Sequence, residues 1–325
     1  YQIEELTAGI LRQIKAAADA EAGESVESAV FGRPVRFSFR KDEDEVAERR
    51  LETAARLAGF KNITFCYEPG AACTEYAIRS DKKQKLMVVD IGGGTFDVCI
   101  MEFGGPGEAA SRVASSRILS VSGVPVAGDA IDHEIIRRKI FPSLGSRARY
   151  GPSKLRLPQF VFNAVIDWQN MYRLNTEETI NWLIAAEASS DQPERIHALR
   201  TLIPRTSGYP LSREVEAATR RPPALAETTL ECVRTGIELR EQIERQEFTH
   251  IIEHMLDQML DSIREAETAA GVQPADLDYV LTTGGTSLIP AVRQMLVDRY
   301  GAERLHHRDT FTSVATGLAV VARYA

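Results

Sequence analysis

Asp90, Thr95 and Asp97 stand around three consecutive glycines, Gly92, Gly93 and Gly94, in the run Lys85–Phe103, KLMVVDIGGGTFDVCIMEF. Two carboxylates and a hydroxyl at this spacing supply hard oxygens and water-orienting groups, which a phosphate-bound Mg2+ requires. Consecutive glycines permit positive φ and let a ligand or a second backbone come into contact. A turn of this kind can aim successive N–H groups into one concavity that holds phosphate. The plain alternative is a glycine-rich hairpin with two solvated acids. Spacing alone leaves both readings open.

A further acid, Glu68, falls at a strand-to-helix corner. Asn62–Glu68 reads as a strand, Pro69 suits the first helical position, and Gly70–Ile78 continues as a helix. A second glycine turn, Gly284-Gly285, follows the apolar run DLDYVLTT at Asp276–Thr283 and precedes Thr286 and a helix near Pro290. Such a turn can bring backbone and helix N-terminal N–H groups to one ligand. Taken with Glu68, Asp90, Thr95 and Asp97, the two turns point to a nucleotide site. Neither matches the lysine-bearing phosphate loop or the dinucleotide G-x-G-x-x-G fingerprint, so those readings drop out.

Three other groupings compete. HIIEH at His250–His254 fits an inverted zinc-peptidase pattern with Glu253 as base, but two surface histidines on a helix are the stronger reading, because short motifs match by accident. His306-His307 reads as a loop pair. Arg220-Arg221 reads as a solvated face, although a guanidinium also stacks on aromatic bases.

The elements that must position these residues alternate. Leu86–Asp90 and Phe96–Met101 carry Val88, Val89, Val98 and Ile100, which suit a buried pleated surface. Gln2–Ala20 has helical apolar spacing at Ile3, Leu6, Ile10, Leu11 and Ile14. Val26–Val35 reads as a strand, and an alanine-rich helix closes at Gly59. Ser111–Ser122 reads as a strand. Asp132–Ile140 reads as a helix that Asp129 or Asp132 could cap. Phe141–Pro210 is mixed and helical, and Glu214–Pro223 is a short polar helix stopped by two prolines. Long helices are expected over Leu230–Ala270, and a last one over Thr312–Ala325. The class is α/β.

The 325 residues suffice for two domains or one two-lobed fold, and 44% apolar with 26% charged residues is ordinary for a folded globular chain. A net charge of −7 argues against a general nucleic-acid or anionic-membrane binder. The four cysteines, Cys66, Cys73, Cys99 and Cys232, share no C-x-x-C spacing and read as reduced core thiols, giving a cytoplasmic expectation. No apolar run is long enough for a membrane helix. Tyr1 falls inside a helical pattern, so a fragment of a longer protein is expected.

DIGGGTFDV at Asp90–Val98 resembles the second phosphate motif of the seventy-kilodalton heat-shock (DnaK) chaperones, members of the actin-like ATPase superfamily. YEPGAA at Tyr67–Ala72 resembles the family's connecting segment, and VAGDAID at Val126–Asp132 the turn of its second lobe. VLTTGGTSLIPAV at Val280–Val292 resembles the adenosine motif, and SVATGLAV at Ser313–Val320 the second connecting segment. AVFGRPV and YEPGAA are worded most like the divergent YegD-like branch.

The resemblance implies an actin-like ATPase (ribonuclease H-like) fold with ATP or ADP and Mg2+ in the cleft between two lobes. Residues 1–110 would form a partial lobe I, 111–310 a complete lobe II with a helical subdomain at about 141–275, and 311–325 a helix returning to lobe I. Glu68 and Asp90 would hold Mg2+ through waters, and Asp97 with Asp90 would orient or deprotonate the attacking water. Gly92, Gly93, Gly94 and Thr95 would contact the phosphates, and Gly128 would face them from lobe II. Gly284, Gly285 and Thr286 would back the ribose and adenine, and Glu216 and Arg220 would clamp the adenosine. Co-chaperones or nucleotide-exchange factors would be the protein partners, with no nucleic acid or membrane partner.

The family's first phosphate loop and its hydrolytic lysine are absent from this sequence. The resemblance therefore implies ATP hydrolysis by the intact protein but not by this stretch. Leu288, Thr219 and Phe311 stand where the family usually has an arginine, a lysine and an acid. These departures support an alternative, a pseudo-ATPase or adaptor that keeps the fold as a scaffold. A sugar kinase of the same superfamily is disfavoured by the wording of the motifs.

Overall fold

The computed structural model describes residues 2–35, 37, 40–77, 80–108, 111–112, 116–204, 208–220, 227–234, 237–307 and 310–324. Two compact units divide the chain: Tyr1–Ala127 with Leu256–Ser287 and Val292–Ala325, and Gly128–Met255 with Leu288–Ala291.

The first unit begins with helix α1 (Ile3–Ala22), which stops at Gly23 in a left-handed conformation with its N–H bonded to the carbonyl of Asp19. Strand β1 (Ser28–Arg33), helix α2 (Lys41–Ala58) and strand β2 (Asn62–Tyr67) follow, with Gly59 left-handed at φ 103° as expected. β1 and β2 pair in parallel, from Ser28 opposite Asn62 to Arg33 opposite Tyr67. Small residues, Ala8, Ala54 and Ala55, are fully buried. Ala55, Ala58 and Phe60 form a core onto which Leu11, Phe31 and Ile63 pack. Of the apolar stripe read in α1, Leu11 joins that core, while Ile3, Leu6, Ile10 and Ile14 are exposed.

Helix α3 (Glu68–Ala77) leads to strands β3 (Gln84–Ile91), β4 (Phe96–Phe103) and β5 (Arg117–Val124). After the second unit come strand β10 (Tyr279–Thr283), helix α10 (Pro290–Tyr300), strand β11 (Leu305–His307) and helix α11 (Thr310–Tyr324). The five strands form one mixed sheet in the order β11-β10-β3-β4-β5. β10 runs parallel to both β11 and β3, whereas β3, β4 and β5 are antiparallel. Buried Leu86, Val88, Cys99, Met101, Phe103 and Leu281 pack with Ala72 of α3 and Val314 of α11. Ser120 donates to the carbonyl of Ala266, so a helix also seals β5. A buried stretch of strand reads as a continuous apolar run, which is why β3 from Leu86 and β4 up to Met101 are plain in the sequence.

The second unit opens with helix α4 (Gly128–Ile135), continued by a π-helical stretch at Ile136–Ile140. A short ribbon, β6 (Arg149–Tyr150) and β7 (Leu155–Arg156), precedes helices α5 (Gln159–Ile166), α6 (Glu177–Ala188), α7 (Pro193–Leu202) and α8 (Gly208–Thr219). Strands β8 (Glu227–Arg234) and β9 (Ile237–Glu244) make a hairpin, and helix α9 (Arg245–Ala270) follows, its residues from Leu256 onward belonging to the first unit.

Four expectations need correction. The helices read over Leu230–Ala270 are a hairpin followed by one helix. The period of two in Ile237, Leu239 and Ile243 overrides helical spacing, and Leu239 and Ile243 are buried while Arg240 and Glu244 are exposed. The strand read from Ser111 begins only at Arg117. The helix read from Asp132 begins at Gly128, so Asp132 lies in its second turn and caps nothing. The polar helix read from Glu214 begins at Gly208. Arg221 and the side chains of Cys73, Cys232 and Phe311 lie outside the described residues.

Candidate functional site

The expected residues fall into two constellations, one in each unit. In the first, three acids meet at the ends of strands. Asp90 is the penultimate residue of β3 and Asp97 the second of β4, directly opposite one another across the hairpin. Directly opposed residues share a sheet face with Cβ atoms only ~5 Å apart, and like charges there repel. Glu68 begins α3 and lies over Gly32 of β1, whose absent side chain leaves 3.1 Å from a Cβ position to the Glu68 Cγ. Gly123 of β5 serves Asp97 in the same way, with Oδ1 2.8 Å from where a Cβ would sit. The same Oδ1 accepts the backbone N–H of Val35 at 2.9 Å.

The electrostatics follow from this crowding. Burial, then the charges of Glu68 and Asp97, pushes Asp90 from 3.8 up to about 7, although a backbone hydrogen bond from Ile91 opposes the shift. Burial and Asp97 also raise Glu68. Three carboxylates held against their mutual repulsion are a ready counter-charge for a cation. Among the described residues no three acidic, histidine or cysteine side chains stand close enough to ligate one metal ion directly. Thr283, the partner of Asp90 across the parallel pair β3–β10, carries a buried hydroxyl without a hydrogen-bond partner among the described residues.

The two glycine turns adjoin. Gly92 N–H bonds the carbonyl of Thr95 at 3.2 Å, closing the hairpin. The Thr286 hydroxyl donates to the Gly92 carbonyl at 2.7 Å. Gly284 has φ 87°, and a Cβ there would lie 2.0 Å from the Ile91 carbonyl oxygen, so only glycine fits. By contrast, Cβ positions on Gly92 and Gly94 would meet nothing within 4 Å, so open space lies over the hairpin. Gly285 and Thr286 belong to a single helical turn, Gly285–Leu288.

The second constellation joins α4 and α8. Gly128 is buried at the first position of α4. Asp132, one turn on, is buried and accepts the Thr219 hydroxyl of α8 at 3.1 Å. Burial raises Asp132 to about 7, and Glu216 and Asp129 add to the rise, while Thr219 and Arg220 oppose it. Glu216 is bridged by two guanidinia, Arg220 Nη1 at 2.6 Å and Arg213 Nη1 at 2.8 Å. Sequence reasoning missed the Asp132–Thr219 contact because Asp132 read as a helix cap and Thr219 only as a departure from the family's lysine. A buried acid inside an apolar helical face, in GDAIDHEI, was the available signal.

The zinc reading gains no support. His250 and Glu253 are exposed and pair with each other at 3.3 Å. His306 and His307 lie in β11 rather than in a loop, and His307 Nδ1 is 3.3 Å from the Thr282 hydroxyl.

Acids at strand ends, two adjoining glycine turns and a mixed sheet covered by helices define a family rather than an isolated turn motif. The family model described as "Hsp70 protein" matches residues 1–116 and 214–324, and the chain belongs to that family. Residues 117–213 lie outside the two matched stretches. Among curated proteins the chain is similar to the chaperone protein DnaK of Mycoplasma mobile, 26% identical over 98% of this chain and 44% of the relative. DnaK of Mycoplasmopsis pulmonis is also 26% identical, over 98% of this chain and 44% of its own length. DnaK of Thermus thermophilus is 25% identical over 99% of this chain and 43% of its own. The chain thus spans less than half the length of these relatives.

Proposed function

We propose that this chain is an ATP-binding domain of a DnaK-type chaperone in a YegD-like branch, with the actin-like ATPase fold and the lobe boundaries expected from its motifs. The observation that carries the proposal is the carboxylate row Glu68, Asp90 and Asp97 beside two adjoining glycine turns. The residues fit Mg-nucleotide: burial and then the charges of Glu68 and Asp97 raise Asp90, which a cation would offset, and the hairpin glycines leave room for phosphate. When bound, Mg2+ would neutralise charge on the phosphates.

Glu68 and Asp90 would hold the cation, through water as the resemblance implies. Gly92, Gly93 and Gly94 offer backbone N–H groups and Thr95 a hydroxyl. Asp97 is fixed by the Val35 N–H and, with Asp90, orients the attacking water in the intact protein. Gly284, Gly285 and Thr286 back the nucleoside, and Thr286 locks the hairpin in place. The resemblance adds Gly128, the first residue of α4, as a helix N-terminal group for phosphate. Glu216 and Arg220 take the nucleoside, each already oriented by the other.

Calorimetry with Mg-ADP on the intact protein tests this reading. Micromolar to millimolar binding that Asp90→Asn and Glu68→Gln weaken supports it. A folded protein that leaves Mg-ADP unbound at millimolar concentration overturns it.

A scaffold without hydrolysis is favoured by two observations. Thr219 engages Asp132 instead of offering a cation, and Leu288 is 49% exposed with nothing polar to give an adenine. Single-turnover hydrolysis by wild type no faster than by Asp90→Asn would select that reading.

A further inference from the structure

The ribbon β6–β7 lies in the stretch outside the family match, and its charges are arranged against its own stability. Between Ile135 and Ile166 the chain has seven Arg and Lys residues and no Asp or Glu, within a protein of net charge −7. Arg149 and Arg156 are directly opposite partners across the ribbon. Like charges in that position repel, and an acid at either place would relieve the strand pair. Arg147, Lys154 and Arg156 are exposed and have no acidic partner among the described residues. Lys154 takes φ 50° at the turn, a left-handed conformation that a glycine would adopt without strain.

The repulsion is held on a firm mount. Tyr150 packs edge-on against Trp182 of α6 at 6.0 Å, and pairs with Ser190 through an isolated bridge. The Arg149 N–H donates to Asp191 Oδ1 at 2.8 Å, and Arg149 Nη1 donates to the Lys154 carbonyl at 3.2 Å. Ala148 and Leu157 bury the two ends of the ribbon in the core. The cations are thus presented on a fixed frame, which lowers the entropy lost on binding. Leu155 at the turn and Phe160 four residues beyond Arg156 are each 57% exposed.

We infer that the β6–β7 ribbon is a docking surface for an acidic protein segment that carries an apolar side chain among its carboxylates. Arg147, Arg149, Lys154 and Arg156 meet the acids, and Leu155 with Phe160 meets the apolar group. Guanidinia beside exposed apolar side chains suit a protein interface. A long polyanion such as nucleic acid would also feel the net negative charge of the whole chain, which a short acidic segment escapes.

The test uses a fluorescein-labelled peptide of alternating Glu and Leu, with poly-glutamate and a short single-stranded oligonucleotide as competitors. Wild type binds the peptide at low salt, with affinity that falls as salt rises. Arg156→Glu creates a cross-strand pair with Arg149, so its Tm rises while peptide affinity drops at least tenfold. Lys154→Glu gives the same loss, and Leu155→Ser weakens the peptide but leaves poly-glutamate unchanged. No peptide binding by wild type overturns the inference, as does equal binding by both charge-reversal variants. An oligonucleotide that outcompetes the peptide overturns it in favour of nucleic acid.

Discussion

The Thr286 hydroxyl donates to the Gly92 carbonyl at 2.7 Å, tying together two glycine turns that are 194 residues apart in sequence. The bond fixes one carbonyl of the phosphate hairpin, so the hairpin N–H groups point where the second turn allows. Replacing Thr286 with Val keeps the volume but leaves the Gly92 carbonyl short of a donor, at a cost of roughly 1 kcal/mol. Thermal unfolding should show that small loss, and calorimetry a larger proportional loss of Mg-ADP affinity. Equal affinities in the two proteins would show that the hairpin is rigid without Thr286.

Asp90 sets the pH response of the first unit. An unfolded aspartate titrates near 3.8, whereas Asp90 in the fold titrates near 7. Between those values the folded chain holds the extra proton, so stability is full below about pH 4, falls as pH rises and levels off above about pH 7. The ionised acid costs at most roughly 4 kcal/mol. Asp90→Asn should therefore flatten this slope and raise stability at pH 8. Mg2+ should stabilise wild type more than the variant at that pH. Chemical denaturation across the pH range, with and without Mg2+, measures both effects.

The Asp132–Thr219 bond makes a similar prediction for the second unit, with a different remedy. Thr219→Val leaves a buried carboxyl without its hydroxyl donor, at a cost of about 1–3 kcal/mol. Asp132→Asn keeps an acceptor for Thr219 and removes the titration that burial displaces towards 7. A double-mutant cycle measures the coupling, and additive losses would rule out a direct contribution from the bond.

Glycines divide by what surrounds them. A Cβ on Gly284 would meet the Ile91 carbonyl oxygen at 2.0 Å, and one on Gly317 the Ala71 carbonyl oxygen at 1.9 Å, whereas Gly92 and Gly94 have open space. Gly284→Ala and Gly317→Ala should each cost more than about 3 kcal/mol or prevent folding. Gly92→Ala should fold with nearly wild-type Tm yet bind Mg-ADP more weakly. Unchanged binding by Gly92→Ala would place the phosphates elsewhere.

The sequence discloses the centre of the first unit better than the second unit. β3 and β4 carry the apolar runs Leu86–Val89 and Val98–Met101, and Gly92–Gly94 stands between them, so strand, turn and acids are all visible. The meeting of Glu68 with Asp90 and Asp97 is not visible, because it depends on Gly32 and Gly123 leaving room from strands far away in sequence. In the second unit the mixed pattern of β8 and β9 masks a hairpin among helices. Asp132 reads as a cap because its buried partner lies 87 residues away. Chemistry carried by neighbouring residues is legible, while chemistry assembled by packing is not.

The close approach of α11 to α3 has a consequence for the acid row. Gly317 brings the α11 backbone against the carbonyl of Ala71, and Leu318 lies 3.2 Å from the Cβ position of Gly32, the same vacancy that Glu68 fills. Helix α3 is a single short rod with Glu68 at its first residue, so the seating of α11 is translated into the position of one carboxylate. The C-terminal helix therefore works as a gauge block. An added methyl group at residue 317 would press on the Ala71 carbonyl, three residues along the helix that Glu68 begins.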